Sequence, residues 1–306
     1  MKRVKSQQRT FGPHNNLKYQ YSECTGNKKA LCIGINYVGT SNELGGCQND
    51  ADRIREFLIK RCGYKSENIM LLKDSKDLDE SRQPTKKNMF KAMRWLVKGA
   101  KLNDALFFHY SGHGGRTKDL SGYDETVFPV DFQKLTYVHT GHILDDTLHD
   151  ELVRPLPAGC RLTAIFDSCH SGTALDLPFI YDSNGDIKEP DVLKEASGEL
   201  FSHRLPNGMI APLHDAYYFS KRLVTGKAQD RKQKKINFSP ADVIMFSASK
   251  DTQTAADAVS IDQNRDKDFS FIELLNAIRS KMEGKYTQRP QLSSSHEIDM
   301  DLDFVC

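Results

Sequence analysis

The sequence predicts an α/β fold in three layers, a mainly parallel central β-sheet flanked by helices on both faces. Three observations predict it. Apolar runs of strand length recur along the chain. Amphipathic stretches of helical period lie between them. The length, 306 residues, allows one large core.

Residues 1–27 are polar, with Gly, Pro and Asn, and read as an extended arm ahead of a folded domain over 28–306. The first strand is Ala30 to Ile35, apolar throughout and so suited to burial on both faces. A polar Gly-bearing loop over 36–46 leads to a helix with Ala51, Ile54, Phe57 and Leu58 on one face. Asn68 to Leu72 reads as a second strand. Pro84 and Thr85 open a helix in which Met89, Met93, Leu96, Val97 and Ala100 recur at helical spacing; Trp95 on it reads as core. Further strands are expected at Asp104 to Tyr110, Arg161 to Phe166 and Asp242 to Ser247. A helix follows near Phe271 to Met282, and Leu302 to Val305 reads as a closing strand. Two long irregular segments, 114–142 and 176–238, read as binding loops or cleavable linkers.

Apolar residues make up 38% and charged residues 27%, the balance of a soluble globular chain. A formal charge of only +2 gives no reason to expect nucleic acid as a partner. No apolar run is long enough to span a membrane, and no apolar run follows the basic start as a secretory signal would require. Seven scattered cysteines without CxxC pairs argue against a disulfide scaffold and a structural zinc site. A cytoplasmic or also nuclear location is expected, where a free thiolate serves as a catalyst.

Two predicted strands end in reactive residues. One runs into Ser111-Gly112-His113-Gly114-Gly115, the other into Asp167-Ser168-Cys169-His170-Ser171-Gly172. In an open parallel sheet ligands bind beyond the carboxyl ends of the strands. If the two strands are neighbours, His113 and Cys169 face one crevice. An imidazole beside a thiol generates the thiolate and returns a proton to the leaving amine. A lone Cys or His at a strand end is ordinarily a packed residue, but both ends are Gly-flanked and carry complementary partners. The expected activity is that of a cysteine peptidase with Cys169 as nucleophile and His113 as acid/base. Residues two apart on a strand share a face, so Asp167 lies beside Cys169 and Ser111 beside His113.

SGHGG and DSCHSG, preceded by YSECTGNKKALCIGINY and GCQND, resemble the type I metacaspases of fungi, caspase-fold cysteine peptidases. The similarity runs from about Tyr21 to the terminal QRPQLSSSHEIDMDLDF. The His-to-Cys interval is also close to that of caspase-type enzymes. The resemblance implies an oxyanion hole from the Gly114 and Cys169 amides. It also implies a specificity pocket made by Cys47, Asp50, Ser111 and Asp167. Two carboxylates in a partly dry pocket select Arg or Lys before the scissile bond and repel an acidic side chain. Taken alone, Asp50 is a plausible helix cap and Asp167 a turn residue. The resemblance further implies an activating Ca²⁺ held by Asp124, Asp145, Asp146 and Asp176; spacing alone reads these as solvated loop aspartates.

The sequence departs from the family pattern in two places: the loop after SGHGG is short, and a Gly-Ala-rich strand is missing after TAADAV. The basic run Lys221 to Lys235 reads as a solvated surface or as a self-cleavage segment. The arm reads as the remnant of a prodomain, and the family implies a monomer acting on protein substrates. The alternative from another class is a caspase-fold interaction protein in protein quality control. An Asp-specific caspase is disfavoured by the acidic pocket.

Overall fold

The computed structural model describes residues 7–11, 17–118, 123–135, 141–168, 174–181, 184–187, 238–248, 269–282 and 290–306. Its strands are β1 (Gln8–Phe11), β2 (Leu17–Gln20), β3 (Lys28–Gly34), β4 (Ile69–Lys73), β5 (Ala105–Ser111) and β6 (Gly114–Lys118). They continue with β7 (Tyr123–Val127), β8 (Ile143–Leu144), β9 (Arg161–Asp167), β10 (Phe179–Tyr181), β11 (Asp242–Ala248) and β12 (Gln291–Ser294). The helices are α1 (Cys47–Arg61), α2 (Lys86–Val97), α3 (Asp145–Leu152) and α4 (Phe271–Met282).

The main sheet has the order β10-β12-β11-β9-β5-β3-β4. β11, β9, β5, β3 and β4 pair in parallel, while β12 pairs antiparallel with both β10 and β11. The central strands are buried on both faces, and β5 is buried at every position. That is why their sequences read as continuous apolar runs rather than alternating ones. On one face Leu31, Phe108, Leu162 and Met245 pack against Met89, Met93 and Leu96 of α2 and Leu148 and Leu152 of α3. On the other, Ala30, Cys32 and Phe107 meet Ala51, Ile54 and Leu58 of α1. Ile244 and Phe246 on that face meet Phe271, Leu274 and Ile278 of α4. The fold is the three-layer α/β arrangement that the alternation of strands and helices predicts.

α2 starts where its sequence says it should. The Thr85 hydroxyl accepts from the Asn88 amide, and Pro84 precedes the cap. α1 begins at Gly46 with φ 117, without a side-chain cap. Its first turn is pressed onto the end of β3, because a Cβ at Gly34 would sit 2.2 Å from the Cys47 carbonyl oxygen. Gly34 therefore permits the close approach that brings Cys47 and Asp50 to the carboxyl edge of the sheet.

Several expectations need correction. The arm is not an unpacked extension: β1 and β2 pair antiparallel, and Tyr19, Tyr21 and Cys24 are buried. Among the described residues of segment 114–142, β6 and β7 are regular strands, and with β8 just beyond it they form a three-stranded sheet. Within 176–238, residues Phe179–Tyr181 add an edge strand to the main sheet. Residues 302–305 form no strand, only a bridge from Asp303 to Ser270. The last strand is Gln291–Ser294, whose polar sequence hides a central position between β10 and β11. Finally, one disulfide is present among the described residues. Cys62 and Cys306, 244 residues apart, are joined, and the Lys28 ammonium donates to both of their carbonyls at 2.6 and 2.7 Å. Sequence spacing gives no hint of a bond between cysteines that the fold alone brings together.

At the amino ends of β9 and β11 lies a buried ion pair, Arg161 with Asp242 at 2.7 Å. His296 approaches the same carboxylate at 3.4 Å, and the Ser22 amide donates to it at 2.9 Å. Burial alone would raise the Asp242 carboxyl; the Arg161 guanidinium and His296 outweigh it and hold it at about 2. Among the described residues no helix is long and apolar enough to cross a membrane.

Candidate active site

β5 and β9 are neighbours, and Ser111 is the register partner of Asp167 at their carboxyl ends. His113 and Cys169 each follow that pair by two residues in sequence. Cys169 itself lies outside the described residues, as does the autoprocessing candidate Lys221 to Lys235.

His113 is held from three sides. Its Nε2 lies 2.7 Å from the Asn42 carbonyl oxygen. A carbonyl only accepts, so Nε2 carries the proton and the lone pair of the neutral ring belongs to Nδ1. The ring rests against Tyr37 at 4.7 Å between centroids and meets Phe128 edge-on at 6.5 Å. The His113 amide donates to the Tyr37 hydroxyl at 3.0 Å, and the Tyr110 hydroxyl donates to the His113 carbonyl at 2.7 Å. The Tyr37 hydroxyl also donates to the Phe128 carbonyl at 2.6 Å. Two buried phenols thus clamp the start of β6 to the end of β7. Burial pushes both above the usual phenol range, so both remain protonated donors. Gly112 is required by this clamp, since a Cβ there would meet the Tyr110 hydroxyl at 2.8 Å and the Tyr37 hydroxyl at 3.1 Å.

The structure brings the four expected pocket residues together. Cys47 and Asp50 come from the first turn of α1, Ser111 from β5 and Asp167 from β9. The Ser111 hydroxyl donates to Asp50 Oδ2 at 3.4 Å. Burial pushes the Cys47 thiol up to about 11; Ser111 opposes this, and Asp50 and Asp167 add to it. Burial also raises the Asp50 carboxyl, against Arg53 and Ser111. A cation placed between these carboxylates would offset that cost.

The expected Ca²⁺ residues lie around the small sheet. Asp124 is on β7, and its side chain lies outside the described residues. Asp145 and Asp146 open α3, Asp145 buried and Asp146 exposed. Asp145 accepts the Glu125 amide at one carboxylate oxygen and the Asp146 amide at the other, both at 2.9 Å. Asp176, with φ 46, follows Leu175, whose carbonyl is bonded to His149 Nδ1 of α3 at 2.8 Å. Among the described residues no three such side chains form a metal-binding group.

Sequence reading did not single out Asn42 or Tyr37. Asn42 acts through its backbone carbonyl, which carries no residue identity. Tyr37 becomes visible only once its ring is seen against His113.

A parallel sheet whose adjacent central strands run into SGHGG and DSC defines a caspase-like cysteine peptidase. The family model described as "Metacaspase, peptidase C14 domain" matches residues 28–178. Metacaspase-1 of Cryptococcus neoformans is 49% identical over 94% of this chain and 66% of its own length. Metacaspase-1 of Kluyveromyces lactis is 48% identical over 98% of this chain and 73% of its own. Metacaspase-1B of Aspergillus oryzae is 47% identical over 99% of this chain and 76% of its own. The chain belongs to the metacaspase family, in its fungal type I group, and is a cysteine-type endopeptidase. It spans 66% to 76% of the length of these relatives. A crystal structure of a Geobacter sulfurreducens protein shares the fold, with a TM-score of 0.56, 22% identity and coverage of 92% of this chain and 98% of that one.

Proposed function

We propose that the chain cleaves proteins after Arg or Lys through a Cys169/His113 dyad and is activated by Ca²⁺. The observation that carries this reading is the gathering of Cys47, Asp50, Ser111 and Asp167 around the paired ends of β5 and β9, in the sequence neighbourhood of both reactive residues. His113 Nδ1 takes the thiol proton as the Cys169 sulfur attacks the scissile carbonyl. The carbon–nitrogen bond then breaks as the imidazolium returns that proton to the leaving amine. Water hydrolyses the thioester, with His113 again acting as base. Asn42 keeps the imidazole in the required tautomer throughout.

Bonded and non-bonded pairs alternate in an antiparallel ladder. The Phe128 amide donates to the His113 carbonyl at 3.2 Å, so the next pair, Gly114 with Val127, is a non-bonded one. The Gly114 amide then turns away from β7, as an oxyanion donor must. The Cys169 amide is the second proposed donor. Protein substrates follow from the family, and a monomer is the proposed state. The Ca²⁺ reading draws on the pairing of β7, which carries Asp124, with β8 directly before α3, and on Asp176 lying one residue from the His149 contact. Self-cleavage is proposed within the basic run Lys221 to Lys235.

The test is turnover of Arg- and Asp-terminated fluorogenic peptides, with Ca²⁺ and with chelator. Cleavage of the Arg peptide alone, only with Ca²⁺, is expected. Cleavage only after Asp overturns the pocket assignment, and indifference to chelator removes the metal. Fragments mapping wholly outside residues 195–236 after Ca²⁺ addition remove the self-cleavage segment.

A further inference from the structure

One carboxylate at the far edge of the sheet holds the loop on which the base depends. Asp74 follows β4, the edge strand, and is buried. Its Oδ1 accepts the Asn36 amide and the Gln48 side-chain amide, each at 2.8 Å, and its Oδ2 accepts the Val38 amide at 3.1 Å. Asn36 closes the loop in turn. Its carbonyl accepts the Leu44 amide at 2.7 Å, and its side-chain oxygen accepts the Gln48 amide at 3.3 Å. Residues 36 to 44 are thus pinned at both ends, and Asn42, whose carbonyl grips His113 Nε2, lies between the pins. Tyr37, whose ring and hydroxyl also contact His113, sits between the two amides that Asp74 accepts.

We propose that Asp74 is a positioning residue for His113, acting through the backbone of loop 36–44 to fix the Nε2–H tautomer and the aim of Nδ1. The proposal rests on the reading of His113 as the base. Two of the three hydrogen bonds that Asp74 accepts come from backbone amides of the loop, so its effect is expected on the chemical step. A carboxylate suits the task because it accepts three N–H groups at once, which an amide cannot do without turning a donor toward one of them.

The experiment compares Asp74→Asn and Gln48→Met with the parent and with His113→Ala, measuring kcat, KM and the ¹⁵N resonances of the histidine ring. Asp74→Asn is expected to lower kcat about 10- to 100-fold, the usual cost of a small misplacement of a catalytic group, while KM stays within about twofold. Its His113 ring is expected to leave the single Nε2–H tautomer for a mixture. Gln48→Met, which removes one donor and leaves both backbone amides, is expected to show a smaller fall in kcat with the same unchanged KM. If Asp74→Asn fails to fold, the Gln48→Met kinetics and tautomer decide. Parental kcat in the folded variants, or a rise in KM without a fall in kcat, overturns the proposal. The second outcome would assign the carboxylate to the pocket helix through Gln48. Full activity in His113→Ala would instead overturn the dyad reading on which the proposal stands.

Discussion

Ser111 and Asp167 are register partners across two parallel strands, and this pairing brings two separate motifs to one edge of the sheet. Cys169 and His113 follow these partners by the same number of residues. Replacing Cys169 by Ala is expected to abolish turnover, and His113→Ala to lower kcat by about 10²–10⁴-fold with a smaller effect on KM. Single-turnover kinetics with an Arg ester check both. Equal activity in Cys169→Ala would end the covalent mechanism.

The pocket carboxylates should act on selectivity more than on chemistry. Asp50→Asn and Asp167→Asn remove one charge each while keeping shape. Each is expected to reduce kcat/KM for an Arg peptide by about 10- to 100-fold, the range of a charge-assisted hydrogen bond. A neutral peptide in the same assay should lose far less. Equal losses on both peptides would show that the carboxylates serve structure instead.

Acid stability should carry the mark of Asp242. Its folded carboxyl titrates at about 2, below the value of about 4 in an unfolded chain. The native state therefore binds that proton less readily, so the stabilisation is complete above pH ~4 and disappears as pH falls through ~2. Asp242→Asn leaves Arg161 buried without its partner and is expected to cost about 3–5 kcal/mol at neutral pH. Its stability should also vary less between pH 4 and 2 than the parent's. Urea melts across that range measure both effects.

Reducing the Cys62–Cys306 bond is expected to destabilise the fold by about 2–4 kcal/mol. Cys306→Ser in a Cys169→Ala background should reproduce the loss without involving the reactive thiol. Thermal melts with and without reductant would show it, and an unchanged Tm would mean that the tail is held by other contacts alone.

The central strands were legible because burial on both faces favours near-continuous apolar runs, as in Ala30 to Ile33. α2 was legible from Thr85 and its helical spacing. β12 was not, since Ser293 and Ser294 are buried in spite of their polarity. The β6–β8 sheet escaped because its strands are short and its polar residues outnumber its apolar ones. In the site, the nearness of Cys47, Asp50, Ser111 and Asp167 could be expected from motifs, whereas the Asn42 carbonyl on His113 carries no side-chain signature and Asp74, which bonds the same loop, is remote from every motif.

The bond between Cys62 and Cys306 has a topological consequence. It turns the chain from 62 to 306 into a covalent ring that contains both reactive residues and the entire proposed self-cleavage segment. A single cut anywhere in that ring opens it without releasing a piece. A processed, oxidised molecule would run as one species on a non-reducing gel and as two on a reducing gel, with the fragment that carries His113 and Cys169 still tethered to the one that carries β11, α4 and β12.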